Sequence, residues 1–235
     1  MRASTSKEIN DRQRAGLYLL TALTKQGPTV AAALRERVGT DFAAIIVGLA
    51  RALEAALNRL VAADAALVDE RARDASARDG RTTWTAVLHD LLVGLRSLVM
   101  GHFVAPDLAG LGFEGRTPQE PVLLGRQADR ICVNLRAGVG VGKARFKKSR
   151  WLPGEYVEEI EEASKELRAA RDRVNVERRR TDEAWVARER ARDGYDVLHL
   201  ETARTFESYC RMAGMEELAA RVRRRTRRAK KTTGP

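Results

Sequence analysis

Between Leu34 and Leu67 the apolar residues return at steps of three and four, through Val38, Phe42, Ile45, Leu49, Leu53, Leu57 and Leu60, with Asp64 the one polar member. That rhythm draws one continuous stripe down a helix. Read through to Gly80, the segment from Gly27 makes about fifty helical residues, or ~75 Å of helix. No globular core is that thick, so such a helix needs partners of similar length laid along it.

The flanking sequence predicts those partners. A short first helix over "DRQRAGLYLLTALTKQGP" is expected to end at Gly27 and Pro28, since proline breaks the hydrogen-bond ladder of a helix interior. After Gly80, "RTTWTAVLHDLLVGLRSLVMGHFV" is amphipathic and is expected to fold back as a helical hairpin over residues 11–104. Residues 105–138 then read as a loop and a short helix. Thr117 is the expected N-cap, Pro118 the first helical residue and Glu120 the return arm of a capping box. Gly138 is expected to stop this helix by taking the left-handed conformation.

A second hairpin is expected over 153–214, with its turn at Gly194. Ile160, Ala163, Leu167, Ala170, Val174, Glu177, Thr181, Ala184, Arg188 and Ala191 alternate steps of three and four, a heptad rhythm with a narrow, part-polar seam. "ARDG" at Ala77–Gly80 returns at Ala191–Gly194, and "VLH" at Val87–His89 returns at Val197–His199. The repetition suggests a duplicated helical hairpin. The fold class is therefore all-α, an elongated antiparallel bundle of long helices. One bundle domain is assigned to residues 1–220, with a glycine-rich, basic joint at 139–152 and a basic tail at 221–235.

Charge narrows the function. The formal net charge is +11. Lys143, Arg145, Lys147, Lys148 and Arg150 in the joint, with Arg221, Arg223, Arg224, Arg225, Arg227, Arg228, Lys230 and Lys231 in the tail, hold more positive charge than that net value. The rest of the chain is close to neutral. Clustered cations without interleaved acids suit a polyanion such as nucleic acid, an anionic membrane surface or an acidic protein. In the joint, Phe146 and Trp151 stand among the cations, where aromatic rings can stack on exposed bases or pack back onto the bundle.

The joint "AGVGVGKARFKKSRW" also invites a phosphate-loop reading, which its spacing rejects. The position five before Gly142 is Ala137 rather than glycine, Ala144 stands where a P-loop carries Ser or Thr, and a helix rather than a strand leads in. Gly138, Gly140 and Gly142 miss the dinucleotide pattern as well. His89, His102 and His199 are scattered. Only Asp196-x-x-His199 approaches the carboxylate–histidine pairing of helical di-metal sites. No catalytic, metal or cofactor residues are assigned, and no cofactor is expected.

Cys132 and Cys210 lack the spacing of a disulfide framework or zinc site, which suits a reducing compartment and a cytoplasmic location. No secretory signal is expected from the polar N-terminus. The function expected from these features is a non-enzymatic helical scaffold or adaptor. It would meet a protein partner or a second copy through its long helices and dock on a polyanion through its basic segments. The competing expectation is a non-sequence-specific nucleic-acid-associated protein. A weaker one is an enzyme with a helical-bundle site that the sequence does not reveal.

Overall fold

The computed structural model describes residues 7–139, 142–145 and 152–232, with residues 225–232 described by backbone alone. The fold is all-α. Its helices are α1 (Lys7–Val38), α2 (Ala43–His102), α3 (Leu108–Leu111), α4 (Pro121–Arg136), α5 (Pro153–Met212) and α6 (Glu216–Thr232). A minimal antiparallel ribbon pairs β1 (Phe103–Val104) with β2 (Lys143–Ala144), with Val104 opposite Lys143.

The chain gathers into two compact units, one of residues 1–71 and 180–235, the other of residues 72–179. In the first, Leu19, Leu23 and Leu34 of α1 share a core with Leu53, Leu57 and Leu60 of α2, Phe206 and Cys210 of α5, and Ala219 and Val222 of α6. Within this unit α2 and α5 run antiparallel. Phe42, just before α2, meets Tyr209 with ring centroids 5.1 Å apart, while Asp64 lies 3.5 Å from Arg188. In the second unit, Leu88, Leu92, Leu95 and Val99 of α2 pack with Leu124, Ile131 and Leu135 of α4 and with Val157, Ile160 and Leu167 of α5.

Three expected helix ends are displaced. The first helix does not stop at Gly27 and Pro28 but runs on to Val38. Gly27 is a contact glycine, because a Cβ there would come within 2.7 Å of Ile46 Cγ2 on α2. An internal proline costs about 3 kcal/mol. Burial of Val30, Ala31 and Leu34 beyond it offsets that loss. The helix ends at Gly39, whose φ is +74° and whose amide donates to Arg35 O at 3.0 Å. Asp41 Oδ1 then accepts from Ala43 N at 2.9 Å and opens α2. The expected stripe consequently slips at this turn. Val38 and Ile45 are exposed while Ile46 is buried, and the predicted rhythm resumes at Leu53.

Gly80 and Gly194 make no turns. Both lie inside 60-residue helices, α2 and α5. Beyond their chain neighbours and their own helix backbone, no atom lies within 4 Å of where their Cβ would stand. A lone glycine costs a helix about 1 kcal/mol relative to alanine, too little to stop one whose flanks are packed. The expected hairpins over 11–104 and 153–214 are accordingly replaced. The turn at Gly39 joins α1 to α2, and the turn at Gly214 joins α5 to α6.

The N-cap of α4 is Glu120, not Thr117. Its carboxylate accepts from Val122 N at 3.0 Å and Leu123 N at 2.7 Å, and Pro121 rather than Pro118 takes the first helical position. Thr117 is buried instead. The stop at Gly138 is as expected. Its φ is +65°, its amide donates to Leu135 O and that of Val139 to Asn134 O, the paired bonds of a Schellman motif. Gly214 repeats the motif on Arg211 and Cys210.

Candidate functional site: the basic α6 and its surroundings

Helix α6 begins with an apolar stripe. Ala219 and Val222 are buried in the first core, Leu218 is packed against it, and α6 makes its helix contacts with α1. Its polar side chains turn the other way. Arg221, Arg223 and Arg224 are all exposed. Arg221 pairs with Glu217 at 3.0 Å, one turn earlier, and Arg224 Nε donates to Ala220 O at 3.3 Å. The helix backbone continues through Arg225, Arg227, Arg228, Lys230 and Lys231, whose side chains lie outside the described residues.

A groove of about 690 Å³ runs beside α6, between Tyr18, Thr21, Lys25 and Gln26 of α1 and Glu216, Glu217 and Arg221 of α6. Its charges are mixed. Glu216 and Glu217 occupy the first turn of α6, where the helix dipole favours acids. The positive surface therefore begins at Arg221.

The joint divides differently from its sequence reading. Lys143 is exposed on β2. Arg145 has a structural role alongside its charge. Its Nε donates to Phe103 O at 2.9 Å and its amide to His102 O at 2.9 Å. It thus places a cation at the C-terminal end of α2, where unpaired carbonyls and the helix dipole attract one. Lys147, Lys148 and Arg150, with Gly140, Phe146 and Trp151, lie outside the described residues. Lys143 and Arg145 belong to the second unit and α6 to the first.

A dense polar cluster went unmarked in the sequence. Arg12 of α1 is 6% exposed and grips Asp196 of α5 with two hydrogen bonds, Nε to Oδ1 at 2.9 Å and Nη2 to Oδ2 at 2.8 Å. Its Nη1 donates to Glu8 at 2.7 Å. Arg188 lies 3.5 Å from both Glu8 and the buried Asp64. Burial alone would raise the pKa of Glu8, but its hydrogen bond to Arg12 and the charges of Arg12, Arg188 and Arg192 outweigh that and hold it below the usual carboxylate range. Arg12 is held above its ordinary value, first by the Asp196 hydrogen bond.

Beside this cluster the hydroxyl of Tyr195 donates to Arg12 O at 2.8 Å, and the Tyr195 ring lies 5.5 Å from that of His199. Burial pushes the Tyr195 phenol up and keeps His199 below its ordinary value, the latter against an opposing hydrogen bond at Ala15 and the charge of Asp196. Each oxygen of Asp196 accepts one hydrogen bond from Arg12, so the carboxylate of the Asp196-x-x-His199 pair is engaged in an ion pair that ties α1 to α5. Among the described residues no group of three or more His, Cys, Asp or Glu side chains is placed to hold a metal ion.

The thiols of Cys132 and Cys210 are both buried, and desolvation pushes each up to about 11. A thiol so poorly ionised is a weak nucleophile. No helix among the described residues is long and apolar enough to cross a membrane.

Comparisons with protein-family models, curated proteins and solved structures gave no match to this chain.

Proposed function

We propose that this protein is a non-enzymatic helical scaffold that docks on a polyanion through α6. One observation carries the reading: Ala219 and Val222 anchor a helix whose residues 221–231 hold eight cations and no acid. Thr226 and Ala229 follow Val222 at steps of four and three, so the sequence leaves one uncharged stripe and fills the remaining positions mostly with Arg and Lys. A cationic helix fixed to a core presents its charge with less ordering cost than a free tail. The scaffold half of the reading rests on the Arg12–Asp196 ion pair, which ties α1 to α5, and on two buried, poorly ionised thiols. Such thiols suit a reducing compartment such as the cytoplasm.

The test is the salt dependence of binding to duplex DNA, with polyphosphate as a second polyanion. Truncation after Arg224 removes five cations and spares Val222. If half of those cations meet phosphates, the slope of log affinity against log salt should flatten by about two. Thermal melting should change little. No binding at low salt by the full chain would end the proposal. An unchanged slope after truncation would move the contact away from α6. A DNA affinity far above that for polyphosphate of matched charge would favour dedicated nucleic-acid binding.

A further inference from the structure

The segment "LLVGLRSLVMG", residues 91–101 of α2, is apolar on two opposite sides. Leu92, Leu95 and Val99 point into the second core. On the far side Val93, Leu98 and Met100 are exposed by 39%, 41% and 49%, and Gly94, Ser97 and Gly101 lie between them. The same outward face continues back through Asp90, Val87 and Ala86. In a chain with 32% charged residues, this face of between four and five turns carries one charge, that of Asp90. Arg96, the only charged residue within 91–101, is turned aside, and its Nη1 donates to Gly115 O at 2.5 Å. A helix that is hydrophobic all round is ordinarily a covered helix.

We propose that a second copy of this chain covers it, with the two α2 faces paired antiparallel about Ser97. Charge selects this occupant. A polyanion gains nothing from an uncharged face, and two chains of net charge +11 repel one another wherever their basic segments meet. On this face they do not.

The pairing is also self-complementary. Asp90 lies seven residues before Ser97 and β1 follows α2 directly at Phe103–Val104, so an antiparallel mate brings the β1–β2 end of its own face towards Asp90. Lys143 lies directly opposite Val104 in the β1–β2 ribbon, and both are exposed. Asp90 of each copy thereby faces the end of the other copy that carries Lys143, an attraction made twice by the symmetry. Gly94 and Gly101 have nothing within 4 Å of where a Cβ would stand, which lets a second backbone approach closely.

The face spans ~24 Å of helix. Taken ~10 Å wide, it is on the order of 250 Å² per copy, well under the ~800 Å² of a standard interface. The dimer is accordingly weak and forms only at high protein concentration.

Sedimentation velocity from low micromolar to near-millimolar protein, in moderate salt, tests this. The full chain should shift from monomer to dimer across that range. Gly94→Leu fills open space in the monomer and should melt no lower than the parent, yet it should weaken association at least tenfold. Asp90→Lys should weaken it too, and adding Lys143→Asp should restore it.

Because the native thiols are buried, a short bis-maleimide should link Ser97→Cys into a dimer through that site alone. Thr83→Cys, on the same exposed side but two heptads from the centre, should stay unlinked. A parent chain that remains monomeric throughout would overturn the proposal. So would a dimer indifferent to Gly94→Leu, which would place the contact elsewhere. Linking of both Thr83→Cys and Ser97→Cys would indicate a parallel pairing and defeat the antiparallel geometry.

Discussion

Gly16 should be a position at which alanine, normally the better helix former, damages the protein. It is buried on α1, and a Cβ placed there would stand 2.6 Å from the Tyr195 hydroxyl and 3.2 Å from Leu57 Cδ2. Tyr195 is 2% exposed and cannot swing into solvent without leaving the core. Its hydroxyl would have to give up its bond to Arg12 O, and a buried donor without a partner costs about 1–3 kcal/mol. Shifting a packed ring adds about 1–3 kcal/mol. Against these stands a helix-propensity gain of about 1 kcal/mol. The balance is a loss of ~3 kcal/mol.

Gly48 supplies the control. It also lies within a helix but is exposed, with nothing within 4 Å of its Cβ position. Gly48→Ala should stabilise by up to about 1 kcal/mol. Urea unfolding followed by circular dichroism reads both, provided the slope with denaturant is unchanged. Tyr195→Phe removes the clashing oxygen, so the double variant with Gly16→Ala should recover most of the loss, a non-additive result. If Gly16→Ala and Gly48→Ala shift the midpoint alike, the close approach of α1 and Tyr195 described here is wrong.

Two further outcomes follow from titratable groups. Burial holds His199 below its ordinary value of 6.5 in the folded protein, so the unfolded chain binds the proton first as pH falls. Its contribution is present in full above 6.5 and is lost as pH falls through the lower folded value. Melting temperature should therefore decline below pH 6.5, and His199→Gln should flatten that part of the profile. At α4, the backbone bonds from Val122 and Leu123 hold Glu120 below the usual carboxylate value. Its cap is intact above that value and lost as pH falls through the folded one. Glu120→Gln should speed amide exchange at Val122 and Leu123 at neutral pH, and the difference from the parent should vanish in acid.

The helices were legible because periodicity is local, and the same locality explains the errors in their ends. Ile160, Ala163, Leu167, Ala170 and Val174 follow the heptad rhythm, and all are buried. Gly138 and Gly214 carry the apolar-to-glycine break of a true stop. Gly27, Gly39, Gly80 and Gly194 carry the same letter, yet their roles differ through distant contacts. Gly27 is pressed against Ile46, Gly39 turns the chain, and Gly80 and Gly194 meet nothing. Gly39 had a usable signal in Asp41, an N-cap residue two positions later. It was masked because Val38, Phe42 and Ile45 happen to keep the three-and-four spacing across the break. The Arg12–Asp196 cluster had no such signal, since its members are 184 residues apart. The basic residues were legible as charge, but Arg145 as a cap on α2 was not, because its partner carbonyls belong to His102 and Phe103.

The two units follow one plan, and their departures from it bear on function. In chain order α1 precedes α2 as α4 precedes α5, and α3 follows α2 as α6 follows α5. Each unit takes the first part of one long helix and the last part of the other. Val87 stands as far beyond the start of α2 as Val197 stands beyond the start of α5. The shared "VLH" does not hold an equivalent environment, however, since Leu88 is buried and His89 is not, while His199 is buried and Leu198 only partly so. What repeats is the order of the helices and the length of the two long ones rather than a site. The larger differences lie in the flanking helices: α1 has 32 residues to the 16 of α4, and α6 has 17 to the 4 of α3. The longer flanks anchor a basic helix in the first unit. In the second unit the outer face of α2, from Val87 to Gly101, is exposed. The proposed polyanion docking and the proposed self-association would each use a segment in which one unit departs from the plan of the other.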